Sequence, residues 1–407
     1  MSGWEIKTLG DVLEVLRNGV SRKQNKNGKV DKISRIESIA HGVFDDSRVG
    51  FSALTDEEKR KFRLKCGDIL FSHINSVPHV GKTAIIQNDG KIYHGMNLLL
   101  MRPTSEVHCT YLQLFLTWVF ERGVWARECK QSVNQASVNQ QDVKRISITF
   151  PKLLAEQKRI VSILDEAFSA IAKAKENAEK NLLAARELFE SYLNRVFTQQ
   201  GPGWQEMKLS ELGTTQTGST PKKANIEDYG DHIPFVKPAN FRPDGSLGLG
   251  NDGLSEAGIQ KARLIPTNST LMVCIGATIG KSGFNDLPIA TNQQINAFLP
   301  GKRIHHKFAY YAFITQSFQR AVNHGSGQAT LPIINKSKWS AIRISLPEVD
   351  EQVKIVGTLD ELRANQRRLE TIYTQKLANL DELKQSLLQK AFTGQLTAAT
   401  SELEATV

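Results

Sequence analysis

Two tripeptides, Gly81-Lys82-Thr83 and Gly280-Lys281-Ser282, carry the residue types of a phosphate-binding loop. Such a loop needs a further glycine five residues before the Gly-Lys pair, so that successive backbone N–H groups wrap the phosphate. Ser76 and Ile275 stand there, and Gly276 lies one residue too close, so nucleotide binding is not expected. The nine histidines form no His-x-x-x-His pair, and Cys66, Cys109, Cys129 and Cys274 show no zinc spacing. A methyltransferase acting on base amino groups needs an Asn/Asp-Pro-Pro-Tyr/Phe loop and a glycine-rich cofactor motif. Lys237-Pro238-Ala239-Asn240-Phe241 is only a superficial echo of that loop. Lone carboxylates such as Asp11 and Asp68 read as turn or cap residues. No catalytic centre is expected.

The remaining polar loops suit nucleic acid. Arg17, Arg22, Lys23, Lys26, Lys29, Lys32 and Arg35 face one acid, Asp31, with Asn18, Gln24, Asn25 and Asn27 interleaved. Long basic side chains neutralise phosphates, while Asn and Gln amides pair with adenine edges and Arg with guanine. A solvated flexible loop is the plainer reading of the same residues. The corresponding stretch later in the chain holds Lys222, Lys223 and Asn225, with Lys237, Asn240 and Arg242 downstream. Further candidates are His73, Asn75, His79 and Lys82 in the first Gly-Lys loop, and Thr278 and Lys281 in the second. Gln131-Ser132-Val133-Asn134-Gln135 answers to His324-Gly325-Ser326-Gly327-Gln328, which adds Asn134, Gln135 and Gln328. Thr291-Asn292-Gln293-Gln294 reads equally as a recognition segment or as amides closing a turn.

These loops need a frame, and the frame occurs twice. Residues 151–166 begin Pro-Lys-Leu-Leu-Ala-Glu-Gln, and residues 347–361 begin Pro-Glu-Val-Asp-Glu-Gln. From Glu156-Gln157 and Glu351-Gln352 the copies run in step to Phe197-Thr198 and Phe392-Thr393. Each reads as a long helix. In the first, apolar or small residues recur at Ile160, Leu164, Ala167, Ile171, Ala174 and Ala178, then after one four-residue step at Leu182, Ala185, Phe189, Tyr192 and Val196. In the second they recur at Ile355, Leu359, Leu362, Leu369, Tyr373, Leu377 and Leu380, with Gln366 in the seam. That is coiled-coil spacing with one stutter. About 45 residues at 1.5 Å give a rod of roughly 65–70 Å. Small residues in one copy face bulky ones in the other, so paired helices have complementary faces. Two copies of one design imply a partner or ligand with two halves.

The parts between repeat more loosely. Gly3-Trp4 matches Gly203-Trp204, and Asn18-Gly19-Val20-Ser21 matches Thr217-Gly218-Ser219-Thr220. Gly67–Ser72 and Ser269–Cys274 read as short buried strands, and residues 145–148 and 341–344 as half-buried ones. Short strands mixed with helix predict an α+β domain of about 150 residues in each repeat. The boundaries fall at 1–151, 152–200, 201–347 and 348–396, with a tail at 397–407. The net charge of +10 is uneven. Each charge sign occurs fifteen times in the two helical segments, whereas the globular parts hold 37 basic and 25 acidic residues. A polyanion is the expected partner of that surplus. Scattered cysteines, no signal-like start and no long apolar run predict a cytoplasmic protein away from membranes.

In this order, the Glu-Gln-x-x-Ile-Val-x-x-Leu-Asp helix openings, the Phe-Thr ends and the Leu-Gly-Asp and Thr-Gly-Ser-Thr-Pro starts resemble the specificity (S) subunit of type I restriction-modification systems. The resemblance spans the whole chain. Gln199-Gln200-Gly201 departs from the family's Thr-Gly and predicts a shifted helix stop. The resemblance implies two target-recognition domains alternating with two long helices that pack as an antiparallel coiled coil. It implies that each domain reads one half of a bipartite double-stranded DNA sequence through the major groove, without catalysis. The helices would set the spacing and dock two methylation (M) subunits, here through Ile160, Leu164, Ile171, Phe189, Ile355, Leu359, Leu369 and Leu380. Restriction/motor (R) subunits would join them. S-adenosylmethionine, ATP and Mg²⁺ would belong to those partners. The rival reading is an assembly scaffold whose globular domains bind protein.

Overall fold

The computed structural model describes residues 3–396 apart from 27, 29, 133, 134 and 328–330. Two compact units divide the chain, and neither is a continuous segment. The first comprises Met1–Ala178 and Lys376–Val407, the second Glu179–Gln375. Each unit therefore owns one α+β domain and half of each long helix. The helices run Leu154–Thr198 and Val349–Phe392. The helices start shortly after Pro151, the last residue of a strand, and Pro347. Gly394, at φ +75°, follows the end of the second helix in the left-handed conformation that glycine adopts freely. The first helix includes Thr198, one residue beyond the point where its repeat stops.

In the first unit, strands Leu13–Asn18, Leu99–Pro103, Ile69–Phe71 and Thr83–Ile85 lie in that order in an antiparallel sheet. The second unit repeats the order with Gly213–Thr217, Ile295–Pro300, Thr270–Val273 and Ser282–Phe284. The strand entering each domain pairs with the strand leaving it: Trp4–Thr8 with Ser147–Pro151, and Gln205–Lys208 with Arg343–Leu346. A smaller sheet, partly parallel, recurs as well: Lys32–Ile33 beside Ile92–Tyr93, and Tyr229–Val236 beside Ile289–Thr291. The looser half of the sequence repeat is thus a full repeat of topology.

Each domain is bolted to both helices by shared hydrophobic core. In the first unit, Ile160, Val161 and Leu164 of the first helix share a core with Leu388, Ala391 and Phe392 of the second and with Tyr111, Phe115 and Phe150. In the second unit, Phe189, Leu193 and Phe197 join Val356, Leu359, Phe308 and Trp339. In both units the start of one helix lies beside the end of the other, as antiparallel packing requires. Lys175 pairs with Asp381 in the first unit, and Arg186 with Glu370 at 2.6 Å in the second. Advancing along one helix retreats along the other. The small seam residues Ala178 and Ala185 are buried, as close helix approach demands.

The Glu-Gln signature has a structural cause. Gln157 and Gln352 are fully buried at the helix starts. Gln157 Oε1 accepts from the His108 amide at 2.7 Å, and its Nε2 donates to the Glu106 and Pro151 carbonyls at 2.8 Å each. Gln352 does the same with the His305 amide and the Arg303 and Pro347 carbonyls, at 2.9, 2.9 and 2.8 Å. Only an amide offers an acceptor and two donors in that space. Unpaired, those backbone groups would each cost about 1–3 kcal/mol.

Candidate nucleic-acid interface

The Gly-Lys tripeptides are chain reversals. Each joins the third and fourth strands of its main sheet. Gly81 sits at φ +94°, where a Cβ would meet Trp125 Cδ1 at 2.1 Å. Gly280 sits at φ +86°, where a Cβ would meet Gln319 Oε1 at 2.2 Å. The glycine serves packing, and the following Thr83 or Ser282 starts a buried strand. Lys82 Nζ donates to the Ala40 carbonyl at 2.9 Å, while Lys281 is half-buried and Thr278 exposed.

Around the end of the first strand in the first unit, the fold gathers residues from five separate segments. The hairpin of Lys130–Ser132 and Gln135–Ser137 pairs with Ile74–Asn75, which brings Gln135 and Asn75 beside His73. Val138 N donates to His73 O at 2.9 Å. Asn18 Nδ2 donates to His73 Nε2 at 3.0 Å and to the Met96 carbonyl at 3.3 Å. Gln140 Nε2 donates to Asn18 Oδ1 at 2.9 Å. Asn18, His73, Gln140, Lys130 and Arg145 line an open concavity of about 650 Å³. A second, of about 590 Å³, holds Arg22, Gln24, Arg35 and Met96. The Asn18–Met96 bond links the two into one polar surface.

Burial tunes this surface. His73, 6% exposed, and the fully buried His94 are both pushed down to about 4 by desolvation, so both are neutral at pH 7. Arg22 forks onto Glu58 at 2.9 and 3.0 Å. That guanidinium, with the Thr55 amide, holds the Glu58 carboxyl down at about 2. Asp68 is more than a turn residue: it accepts from Lys65 N at 2.8 Å and takes a bidentate Arg102 at 2.6 and 2.8 Å. Asp11 is a cap, accepting from Thr8 N and Oγ1 at 3.0 and 2.7 Å.

The other sequence candidates fall into distinct places. Lys23 and Lys26 are exposed on the basic loop, and His79 is exposed on the Gly-Lys loop. The Asn75 amide is spent locally, on Ser72 Oγ and Ser76 N. In the second unit Lys222 and Lys223 are exposed, while Lys237 pairs with Asp252 at 2.8 Å. Asn240 accepts from Lys237 N at 2.7 Å and donates to Gly248 O at 2.8 Å, so its amide holds its own loop. Thr220 Oγ1 donates to Gln293 Oε1 at 2.6 Å, and Asn292 Nδ2 to Gln294 Oε1 at 2.9 Å, closing the turn. Asn134 and Gln328 lie outside the described residues.

Most of the helix residues expected to dock partners are engaged within the chain itself. Ile160, Leu164, Ile171, Phe189 and Leu359 are buried in the chain's own cores, and Ile355 packs against one of them. Leu380 is half-buried, and only Leu369, at 39%, offers substantial exposure. Heptad spacing identifies the buried seam. The exposed large apolar side chains of the helices are Leu183, Leu188, Val353, Leu369 and Ile372 in the second unit and Leu154 and Leu383 in the first.

Gln140, Asn18 and Lys336 escaped the site list. Their signal was present in the repeat: Asn139 and Asn335 both cap short helices, Gln140–Lys144 and Lys336–Ser340, just before the last strand of each domain. No helix among the described residues is long and apolar enough to cross a membrane, and among them no cluster of His, Cys, Asp and Glu is placed to hold a metal ion.

Known proteins share this architecture. The chain is 27% identical to a putative type I restriction enzyme MjaX specificity subunit of Methanocaldococcus jannaschii, over 98% of this chain and 94% of that one. It is 31% identical to the type I restriction enzyme HindI specificity subunit of Haemophilus influenzae, over 48% of this chain and 42% of that one. Two solved structures share the fold at 18% identity. One, from a study of type I R-M complex assembly and conformational transition, covers 97% of this chain and 99% of its own at a TM-score of 0.74. The HsdS subunit from Thermoanaerobacter tengcongensis covers 97% and 98% at 0.62. The profile described as "Type I restriction modification DNA specificity domain" matches residues 1–181 and 202–378. Matched twice along its length, in the two repeats that the fold displays, the chain belongs to the type I restriction-modification specificity family.

Proposed function

We propose that this chain is the non-catalytic DNA-recognition subunit of a type I restriction-modification enzyme. Residues 1–151 read one half of a bipartite sequence through the major groove, and residues 201–347 read the other. The observation that carries this reading is one scaffold built twice with different side chains at the same sheet end. Asn18 and His73 stand there in the first domain, Thr217 and Cys274 in the second. The basic surplus of the globular parts supports it, because polyanion binding needs such a surface.

The long helices act as spacer and platform. A rod of about 65–70 Å spans roughly two DNA turns of about 34 Å each, which bounds the gap between half-sites. Two methylation subunits dock on the solvent face of the helices, where Leu183, Leu188, Ile372 and Leu383 lie exposed. Restriction/motor subunits complete the assembly. S-adenosylmethionine, ATP and Mg²⁺ are held by those partners, which supply the chemistry.

Methylome sequencing of a host carrying the complete system tests the reading directly. Exchanging residues 1–151 for another domain of this type should rewrite one half of the methylated sequence and leave the other intact. A complex that methylates without sequence preference, or an exchange that leaves both halves unchanged, would favour an assembly scaffold instead.

A further inference from the structure

The polar chain Gln140–Asn18–His73 has a fixed direction. His73 is neutral at pH 7, and Asn18 Nδ2 offers only donors. His73 Nε2 must therefore accept, which places the imidazole proton on Nδ1. The Met96 carbonyl, which can only accept from Asn18 Nδ2 at 3.3 Å, holds the Asn18 carbonyl toward Gln140, and Gln140 spends one N–H on it at 2.9 Å. One N–H and Oε1 remain on the Gln140 amide. That pair is complementary to the N7 acceptor and N6 donor that adenine presents in the major groove. The backbone beneath is fixed too: Gln140 is the first residue of its helix, and Asn139 Oδ1 accepts from Gln141 N and Asp142 N at 2.8 and 3.0 Å. Lys130 and Arg145, on the same concavity, supply charge for flanking phosphates.

The second domain carries different chemistry at the same place. Thr217 pairs with Asn296 as Asn18 pairs with Leu99. Its hydroxyl donates to Asn296 Oδ1 at 2.8 Å, so it is engaged by the neighbouring strand. Lys336 is the first residue of a helix capped by Asn335, whose Oδ1 accepts from Lys338 N at 2.8 Å. It stands where Gln140 stands, exposed. A lysine there donates to the O6 and N7 acceptors of guanine.

We propose that the first residue of this capped helix is a base-reading position, Gln140 taking an adenine edge in one half-site and Lys336 a guanine in the other. Asn18 and His73 are positioning residues that keep the Gln140 amide from flipping. This rests on the chain being a DNA-recognition subunit, and it deepens that reading to a residue and a base.

The test uses the chain assembled with its methylation subunits. Gln140→Lys should change one adenine of one half-site to guanine in the methylome and leave the other half unaltered. On duplexes bearing the wild-type sequence, 7-deazaadenine placed in turn at each adenine should weaken wild-type binding about tenfold to a hundredfold at that position. The Gln140→Lys complex should lose sensitivity there and nowhere else. The proposal is overturned if no adenine of the half-site responds, or if Gln140→Lys leaves both halves and every affinity unchanged. In that case sequence-specific binding persists and only this assignment falls. If the wild-type complex shows no sequence preference, the recognition reading falls with it.

Discussion

Replacing Phe392 by alanine should unfasten the second helix from the first domain. The ring is 3% exposed and packs 5.3 Å from Tyr111, 5.5 Å from Phe115 and 5.4 Å from Trp118, centroid to centroid. Truncating a buried phenylalanine costs about 3–5 kcal/mol, and three aromatic neighbours place this one toward the upper end. Phe197, its repeat in the second unit, is 9% exposed with rings at 5.0 and 6.1 Å, so Phe197→Ala should cost nearer ~3 kcal/mol. Hydrogen exchange on the isolated chain separates the two effects by location. Phe392→Ala should lower protection of the most protected amides in 154–178 and 376–392 by roughly a hundredfold to several thousandfold. Protection within 179–375 should hold. A loss below tenfold would mean that the ring is not a plug for its aromatic box. Equal losses in both units would mean that the chain has one cooperative core and not two.

Gln157→Glu should destabilise the first unit more than Gln157→Ala, by about 2–4 kcal/mol in total, because a carboxylate would face the Glu106 and Pro151 carbonyls that now accept from Nε2. Denaturant midpoints decide it, and an indifferent Glu would refute the three-bond tie. Acid should loosen the first domain before carboxylates titrate. His73 and His94 are depressed to about 4 when folded, so their stabilisation is complete above pH ~6.5 and falls as pH drops toward 4, by about 2 kcal/mol each at pH 5. A flat urea midpoint between pH 7.5 and 5 would contradict that burial. For the assembled complex, Lys222→Ala/Lys223→Ala should reduce the slope of log K against log salt by about 2 if both side chains meet phosphates, and by nothing if they lie off the duplex.

The elements that repeat in sequence were legible because their cause is local or periodic. Apolar spacing located both helices to within four residues at each end, with Pro151 and Pro347 shortly before their starts and Gly394 just after the end of the second. Spacing also found the seam, whose residues are largely buried within the chain. A residue such as Leu164 that recurs in register is consumed by the chain's own core, whereas Leu188 lies off the pattern and is exposed. Gln157 was visible as a motif, yet its role was not, since its three partners come from 106, 108 and 151. The site was least legible. Asn18, His73 and Gln140 are separated by 55 and 67 positions, and no local pattern announces a contact built by strand order. Asn240 shows the reverse error. Its amide type suits a base, but the nearest acceptor and donor are its own loop's backbone.

The contrast between the repeats has a physical basis. Positions such as Gln157 and Gln352 are fully enclosed, and few side chains satisfy an amide and two carbonyls there, so the same answer recurs. Positions such as Gln140, half-buried, and Lys336, exposed, are held from beneath by an asparagine cap and are less enclosed. Exposed substitutions of that kind usually change stability by less than about 0.5 kcal/mol. The framework therefore tolerates new wording at its readers without paying for it in folding. On the proposed function, such a chain could alter what it recognises one half at a time, because each domain shares a core with its own pair of helix halves.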